Sequence, residues 1–203
     1  MAHLTTEAQS AELLATSHRA CIHACSILIP ILVETTSRLL TMAALCVVTA
    51  TYVAGELQRL RGRRVPLLSN FTLKLSRSNE RNHFITPPVF LAVGIILVLL
   101  IFPRNIAYAS IAIVAIGDPL AAYVGGRFGR RHVGRKSLEG FAIGTFAAFA
   151  LTLFLVPPSI GAIGSIAGMI LELAGVLDDN LTIPLGSGTA MYLATALLTH
   201  AAA

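Results

Sequence analysis

Apolar runs close to the length of a bilayer span recur from the second tenth of this chain to its end, and they decide what it can fold into. Hydrocarbon offers the backbone no water to bond, so such runs cross a membrane as helices or within a closed barrel. The ten-residue alternation of barrel strands is absent. Only 12% of the residues are charged and 55% are hydrophobic, with mean hydropathy +0.77; a soluble domain carries about a quarter charged residues. The chain therefore reads as an all-α polytopic membrane protein, one membrane-embedded domain over residues 1–203. About seven spans are expected, near 21–34, 39–57, 84–102, 106–124, 138–156, 160–174 and 181–198, after a polar, Ala-rich surface segment at 1–17. No basic stretch precedes the first apolar run, so no removable signal peptide is expected.

Charge sets the orientation. Of the 15 Lys and Arg residues, seven lie in 59–81 and five in 127–136. Two spans separate these loops, so the excess of positive charge in cytoplasmic loops puts both inside. The acidic stretch Asp178-Asp179-Asn180, two spans further on, is then inside as well, and so is the N-terminus. The opposite loops are short and nearly uncharged. The net charge of +5 is thus a topology signal, and no nucleic-acid partner is expected. The reading is an integral protein of a cell or ER-type membrane with its polar loops cytoplasmic. Cys21, Cys25 and Cys46 lie in or beside apolar runs and imply no disulfide framework. His18, Cys21 and Cys25 share a helix face but lack a fourth ligand for zinc.

The stretch Ile116–Gly140, IGDPLAAYVGGRFGRRHVGRKSLEG, holds most of the chemistry. A carboxylate inside a span costs about 2.5–3.5 kcal/mol on insertion scales, which makes Asp118 a functional candidate. Pro119 cannot donate to the carbonyl of Ala115, so a break of the fourth span is expected there, with a free backbone oxygen beside the acid. Such a site suits Mg²⁺, which is held by one or two carboxylates plus substrate phosphates. Gly125, Gly126 and Gly129 let backbone N–H groups approach phosphate, and Arg127, Arg130, Arg131, Arg135 and Lys136 supply charge. The spacing from Gly129 to Ser137 is one residue too long for a G-x₄-G-K-S phosphate loop and follows a membrane helix instead of a strand. Ser137 reads as the N-cap of the fifth span. Glu139, in its first turn, reads equally as an acid placed for the helix dipole, a second metal ligand, or a general base.

Other polar residues mark span ends. Glu56 and Arg59 stand one turn apart and can pair. Glu80, Arg81 and His83 precede the third span. Asp178 and Asp179 sit where helix caps are common, and a bilayer-level site could recruit them. Glycines of the fifth and sixth spans (Gly140, Gly144, Gly161, Gly164, Gly168) read as close helix packing.

The stretch from Gly117 to Gly140 resembles the central motif of the polyprenol kinase family, which comprises dolichol, phytol and farnesol kinases and the CTP-dependent diacylglycerol kinases. Arg19-x₃-His23 is similar to the family's R-K-x-x-H, departing from it at Ala20. Glu56-x-x-Arg59 resembles its E-x-x-R, and Asp178–Gly188, DDNLTIPLGSG, its D-N-x-x-[IV]-P-L run. The resemblance implies transfer of the γ-phosphoryl group of CTP to a lipid alcohol with Mg²⁺, an isoprenoid alcohol before diacylglycerol. It implies catalytic roles for Asp118, Glu139 and Lys136, with Asp118 and Glu139 on the metal. The nucleotide would be bound by Gly125, Gly126, Arg127, Gly129, Arg135, Lys136, Asp179 and Asn180. Arg19, His23, Glu56, Arg59, Glu80 and Arg81 would support the site.

Two other readings stand beside it. The central motif also resembles membrane cytidylyltransferases that make CDP-lipids; their late Asp-Arg element is absent here, where Asp-Asp-Asn stands. A small transporter could use Asp118 as its ion site, but the polar residues gather on one face and no inverted repeat is evident.

Overall fold

The alanine-rich run from Ile106 to Gly117 takes up little volume, so other helices can close on it from all sides. In the computed structural model, which describes residues 20, 22–63, 83–175 and 177–201, it forms the centre of the bundle. The described residues form seven helices and one small hairpin: α1 (Ile22–Thr35), α2 (Arg38–Leu60), α3 (Pro87–Ile101), α4 (Arg104–Phe128), β1 (His132–Val133), β2 (Lys136–Ser137), α5 (Leu138–Thr152), α6 (Pro158–Ala174) and α7 (Asp179–Ala201). The expected all-α membrane architecture is what the chain adopts. Arg19, Glu80 and Arg81 lie outside the described residues, as do His18, Cys21, the segment 1–17 and most of the first basic loop.

Three helices, α2, α4 and α7, are long and apolar enough to cross a bilayer; α1, α3, α5 and α6 are shorter apolar helices. Prolines help to make them short. Pro87 and Pro88 open α3, and Pro157-Pro158 separate α5 from α6, because proline fits the first helical turn but not the last one of a preceding helix. Burial distinguishes α4 from the other two long helices. In its most apolar stretch 67% of the residues are buried, against 22% in α2 and 28% in α7. Ala107, Ala109, Ile111, Ala112, Ile113, Val114 and Ala115 are all fully buried. Leu39, Phe146, Phe154 and Leu197 point outward from the surrounding helices, where hydrocarbon would meet them.

Glycines set the spacing around α4. A Cβ on Gly144 would stand 2.7 Å from the carbonyl of Gly117, and one on Gly168 would stand 2.9 Å from Ile113. A Cβ on Gly164 would stand 2.5 Å from Met191. The backbones of α4, α5, α6 and α7 approach as closely as they do because these positions carry no side chain. The expected role of these glycines holds.

The expected break at Pro119 does not occur. Residues Ile113–Gly117 form a π turn, and the helix runs on from Asp118 to Phe128. A wider turn carries the helix past the missing donor without a break. The fourth span is therefore longer than expected, and Asp118 sits about 15 Å, ten residues of rise, below the end of its helix.

Candidate active site

Five segments far apart in sequence bring polar groups together at one end of the bundle. Asp118 comes from α4 just after the π turn, and Glu172 from the last turn of α6. Asp179 starts α7, Lys136 comes from β2, and His23 from the start of α1. The carboxylates of Asp118, Glu172 and Asp179 each offer an oxygen within 4.8 Å of the others. Lys136 Nζ donates to Glu172 Oε1 at 2.6 Å and to Asp179 Oδ2 at 2.8 Å. His23 Nδ1 lies 3.3 Å from Asp118 Oδ2 and 3.5 Å from the Val114 carbonyl in the π turn.

Local structure explains why these side chains converge. Gly175, at φ +55, ends α6 in the left-handed conformation that favours glycine, and α7 begins four residues later. The chain reverses tightly enough to put Glu172 beside Asp179. The two adjacent acids of the motif divide the work. Asp178 Oδ1 accepts from the backbone N–H of Asn180 at 3.0 Å and from its Nδ2 at 2.8 Å, a local cap. Asp179 turns to the cluster. The hairpin that carries Lys136 pairs His132 with Ser137 and Val133 with Lys136, and Gly134 takes φ +61 at its tip. Ser137 caps α5 by accepting from the N–H of Gly140 at 3.0 Å, as expected.

The electrostatics are those of a cation site. Glu172 is only 1% exposed, and its Oε2 has no hydrogen-bond partner among the described residues; the same holds for Asp179 Oδ1 and Asn180 Oδ1. Buried carboxylate oxygens without partners are costly unless something positive meets them. Lys136 is one such partner. Burial favours its neutral form, but the bonds to Asp179 and Glu172 and the charge of Asp118 outweigh this, and its pKa is raised above that of an ordinary lysine. Three carboxylates form a hard, all-oxygen donor set of the kind that suits Mg²⁺ more than a soft metal.

The other expected site residues fall into two groups. Glu139 stands apart from the acid cluster, half-buried, and accepts from the backbone N–H of Arg130 at 3.1 Å and of Arg131 at 3.2 Å. It braces the loop that leads into the hairpin. Gly125 and Gly129 pack under Ser137: a Cβ on either would come within 2.8 Å of that side chain. Gly126 faces open space, and Arg127 and Arg135 are exposed around the same end. Glu56 and Arg59 form a separate clamp. Arg59 Nε lies 3.1 and 3.0 Å from the two Glu56 oxygens, its guanidinium donates to the His83 carbonyl at 2.8 Å, and Glu56 accepts from the N–H of Ile85 at 3.2 Å. With Tyr52 donating to the Ile85 carbonyl at 3.0 Å, the clamp pins the approach to α3 against the end of α2.

Glu172 was not anticipated. A single acid in the last turn of an apolar span reads as an interface residue. The signal that could have found it is its position seven residues before Asp179, across a short glycine reversal.

Among curated proteins, the chain is similar to the CTP-dependent diacylglycerol kinase 1 of Schizosaccharomyces pombe, 31% identical over 141 residues. The match takes in 59% of this chain and 64% of the relative, so the chain spans less than two thirds of the relative's length. That relative falls within the group of lipid kinases that the sequence motifs resemble. No protein-family model matches the chain, and no solved structure matches it.

Proposed function

We propose that this chain is a CTP-dependent lipid kinase that transfers the γ-phosphoryl group of CTP to the hydroxyl of diacylglycerol at the membrane surface. The observation that carries the reading is the meeting of Asp118, Glu172 and Asp179 with Lys136 beside the arginine-bearing hairpin. Mg²⁺, held by the three carboxylates, would supply neutralisation of the phosphate charge. The use of CTP and the choice of diacylglycerol rest on the likeness to the CTP-dependent diacylglycerol kinase of S. pombe together with the motif resemblance. That likeness moves the acceptor from the isoprenoid alcohol first expected to the glycerolipid.

The reaction breaks the bond between the γ-phosphorus and the β,γ-bridging oxygen and forms one to the lipid oxygen. CDP and a lipid phosphate monoester result, and the hydroxyl proton is released to water by way of the acidic cluster. Phosphoryl transfer asks mainly for positioning and charge compensation. Lys136 and the exposed Arg127, Arg130, Arg131 and Arg135 offer cationic donors for the phosphates. Asn180 orients the nucleotide, and Glu139 holds the loop bearing Arg130 and Arg131 in shape. His23 fixes the carboxylate of Asp118.

The test is turnover by the full chain in detergent with γ-labelled CTP, Mg²⁺ and, in parallel, diacylglycerol, a polyprenol and geranylgeraniol. Labelled phosphatidic acid with CDP is expected. In a parallel reaction with phosphatidic acid as acceptor, pyrophosphate with CDP-diacylglycerol would make it a cytidylyltransferase, and a marked preference for a polyprenol would restore the isoprenoid acceptor. No turnover with any acceptor would favour the transporter reading.

A further inference from the structure

We infer that Lys136 is an internal cation: its ammonium holds the metal-ligating acids while the site lacks ligand and gives them up to a divalent ion as it moves to the nucleotide's phosphates, so that the two ligands bind cooperatively. The first half rests on geometry alone. Lys136 Nζ bonds Glu172 Oε1 at 2.6 Å and Asp179 Oδ2 at 2.8 Å, two of the three residues whose oxygens cluster within 4.8 Å. The second half, the phosphate as the new partner, rests on the phosphotransferase reading above.

The acids need a cation in either state. Glu172 is 1% exposed, and leaving it and Asp179 ionised with no positive neighbour would be expensive. One lysine leaves the three carboxylates with an uncompensated charge, and Glu172 Oε2 and Asp179 Oδ1 without a hydrogen-bond partner among the described residues. A divalent ion answers both deficits, and by taking the same two carboxylates it competes with the ammonium that now holds them. The displaced ammonium then needs an anion, and a nucleotide's polyphosphate is the one that arrives with the metal.

The hairpin is built for this exchange. Its base is fixed: Glu139 accepts the N–H groups of Arg130 and Arg131, Leu138 N–H donates to the Arg131 carbonyl at 2.9 Å, and Ser137 is buried against Gly125 and Gly129. The side chain of Lys136 is less confined, 28% exposed against 2% for that of Glu172. A flexible four-carbon stem can carry the ammonium to a new partner while the backbone stays in place. Arginine at 136 would keep the charge but not this freedom.

The test uses Mn²⁺ alone, followed by EPR on the full chain in detergent, with no lipid and no turnover. Removing a unit charge in contact with the acids should raise Mn²⁺ affinity in Lys136→Gln by about tenfold or more over the wild type. Lys136→Arg should stay within about threefold of the wild type, since it still fills the site with charge. Equal or weaker Mn²⁺ binding by Lys136→Gln would overturn the inference and make Lys136 a fixed structural counterion. A wild-type measurement covers the case in which that variant does not fold. Adding CDP should raise Mn²⁺ affinity by about tenfold, within the usual range of coupling between sites, and independent binding of the two would overturn the exchange. A chain with this Mn²⁺ pattern but no lipid phosphorylation would sink the kinase reading and leave the internal cation standing. Turnover without the pattern would do the reverse.

Discussion

His23 Nδ1 stands 3.3 Å from Asp118 Oδ2, so the start of the first helix is tied to the acid that follows the π turn of the fourth. The same nitrogen lies 3.5 Å from the carbonyl of Val114, and His23 itself is buried. A hydrogen bond to a charged group is worth about 1.5–3 kcal/mol. His23→Phe should therefore lower kcat/KM by about tenfold to a hundredfold, mostly through a weaker apparent Mg²⁺ affinity. His23→Asn, which keeps an amide donor near the Nδ1 position, should recover much of the loss. Equal defects in the two variants would show that His23 fills space and does not position Asp118.

Asp118→Asn should abolish turnover while the protein stays folded and inserted. The substitution removes a charge that is unfavourable within a span, so the helix loses nothing by it. The site loses one of its three anionic oxygens. Electrostatic groups placed at developing charge are worth about 10²–10³ in rate each. The assay must be run at saturating Mg²⁺ and CTP so that weak binding is not mistaken for lost chemistry. Near-normal kcat would leave Asp118 as a partner of His23 and nothing more.

Glu172 and Glu139 should separate. Glu172→Gln removes a buried oxygen of the cluster and a partner of Lys136, and should cost about 10² or more in kcat. Glu139→Gln keeps an acceptor for the N–H groups of Arg130 and Arg131, and should cost less than about tenfold, seen mainly in KM for CTP. Kinetics of the two single variants check this. A larger defect in Glu139→Gln would move the metal site toward the hairpin.

Asp118 was legible in the sequence for a physical reason, a charge set within an apolar run where it is costly; Lys136, in a cationic loop, and Asp179, where helix caps are common, gained their site roles from the family resemblance. The seven helices were legible from the same contrast. Glu172 was not, because at the end of its apolar run it reads as an interface residue, and its burial follows only from how α7 and the hairpin pack over it. Glu139 was ambiguous because its role depends on the path of the Arg130–Arg131 backbone, which spacing does not specify. Pro119 misled for a related reason. Proline guarantees a missing hydrogen bond, but whether the helix breaks or widens depends on what packs around it. Here Gly144 and Met169 close on the π turn at Gly117 and hold it in line.

Two helix glycines, Gly144 and Gly126, should behave differently. A Cβ on Gly144 would meet the Gly117 carbonyl at 2.7 Å and Ala121 at 2.9 Å, contacts that only backbone movement relieves. Gly144→Ala should destabilise by about 1–3 kcal/mol, as overpacking does. Gly126 has nothing within 4 Å of the Cβ position and no left-handed φ. Gly126→Ala should keep the stability of the parent within about 0.5 kcal/mol, and any defect should appear in nucleotide affinity. Thermal unfolding in detergent distinguishes the two; equal destabilisation would mean that Gly126 also packs against a neighbour.

The hairpin should face the cytoplasm. Twelve of the 15 Lys and Arg residues lie in the two segments 59–81 and 127–136, and positive charge is retained on the cytoplasmic side. At the other end of the bundle, Glu34 pairs with Arg104 and accepts from Tyr108, so little net charge is presented there. In a chain with Cys21, Cys25 and Cys46 replaced by serine, single cysteines at His132 and at Ser159 report the two ends, and both positions are exposed. An impermeant maleimide applied to intact cells should label Ser159→Cys and leave His132→Cys unmodified until the cells are opened. The reverse pattern would place the acids and the hairpin outside, away from the cell's CTP, and the kinase reading would fall with the topology.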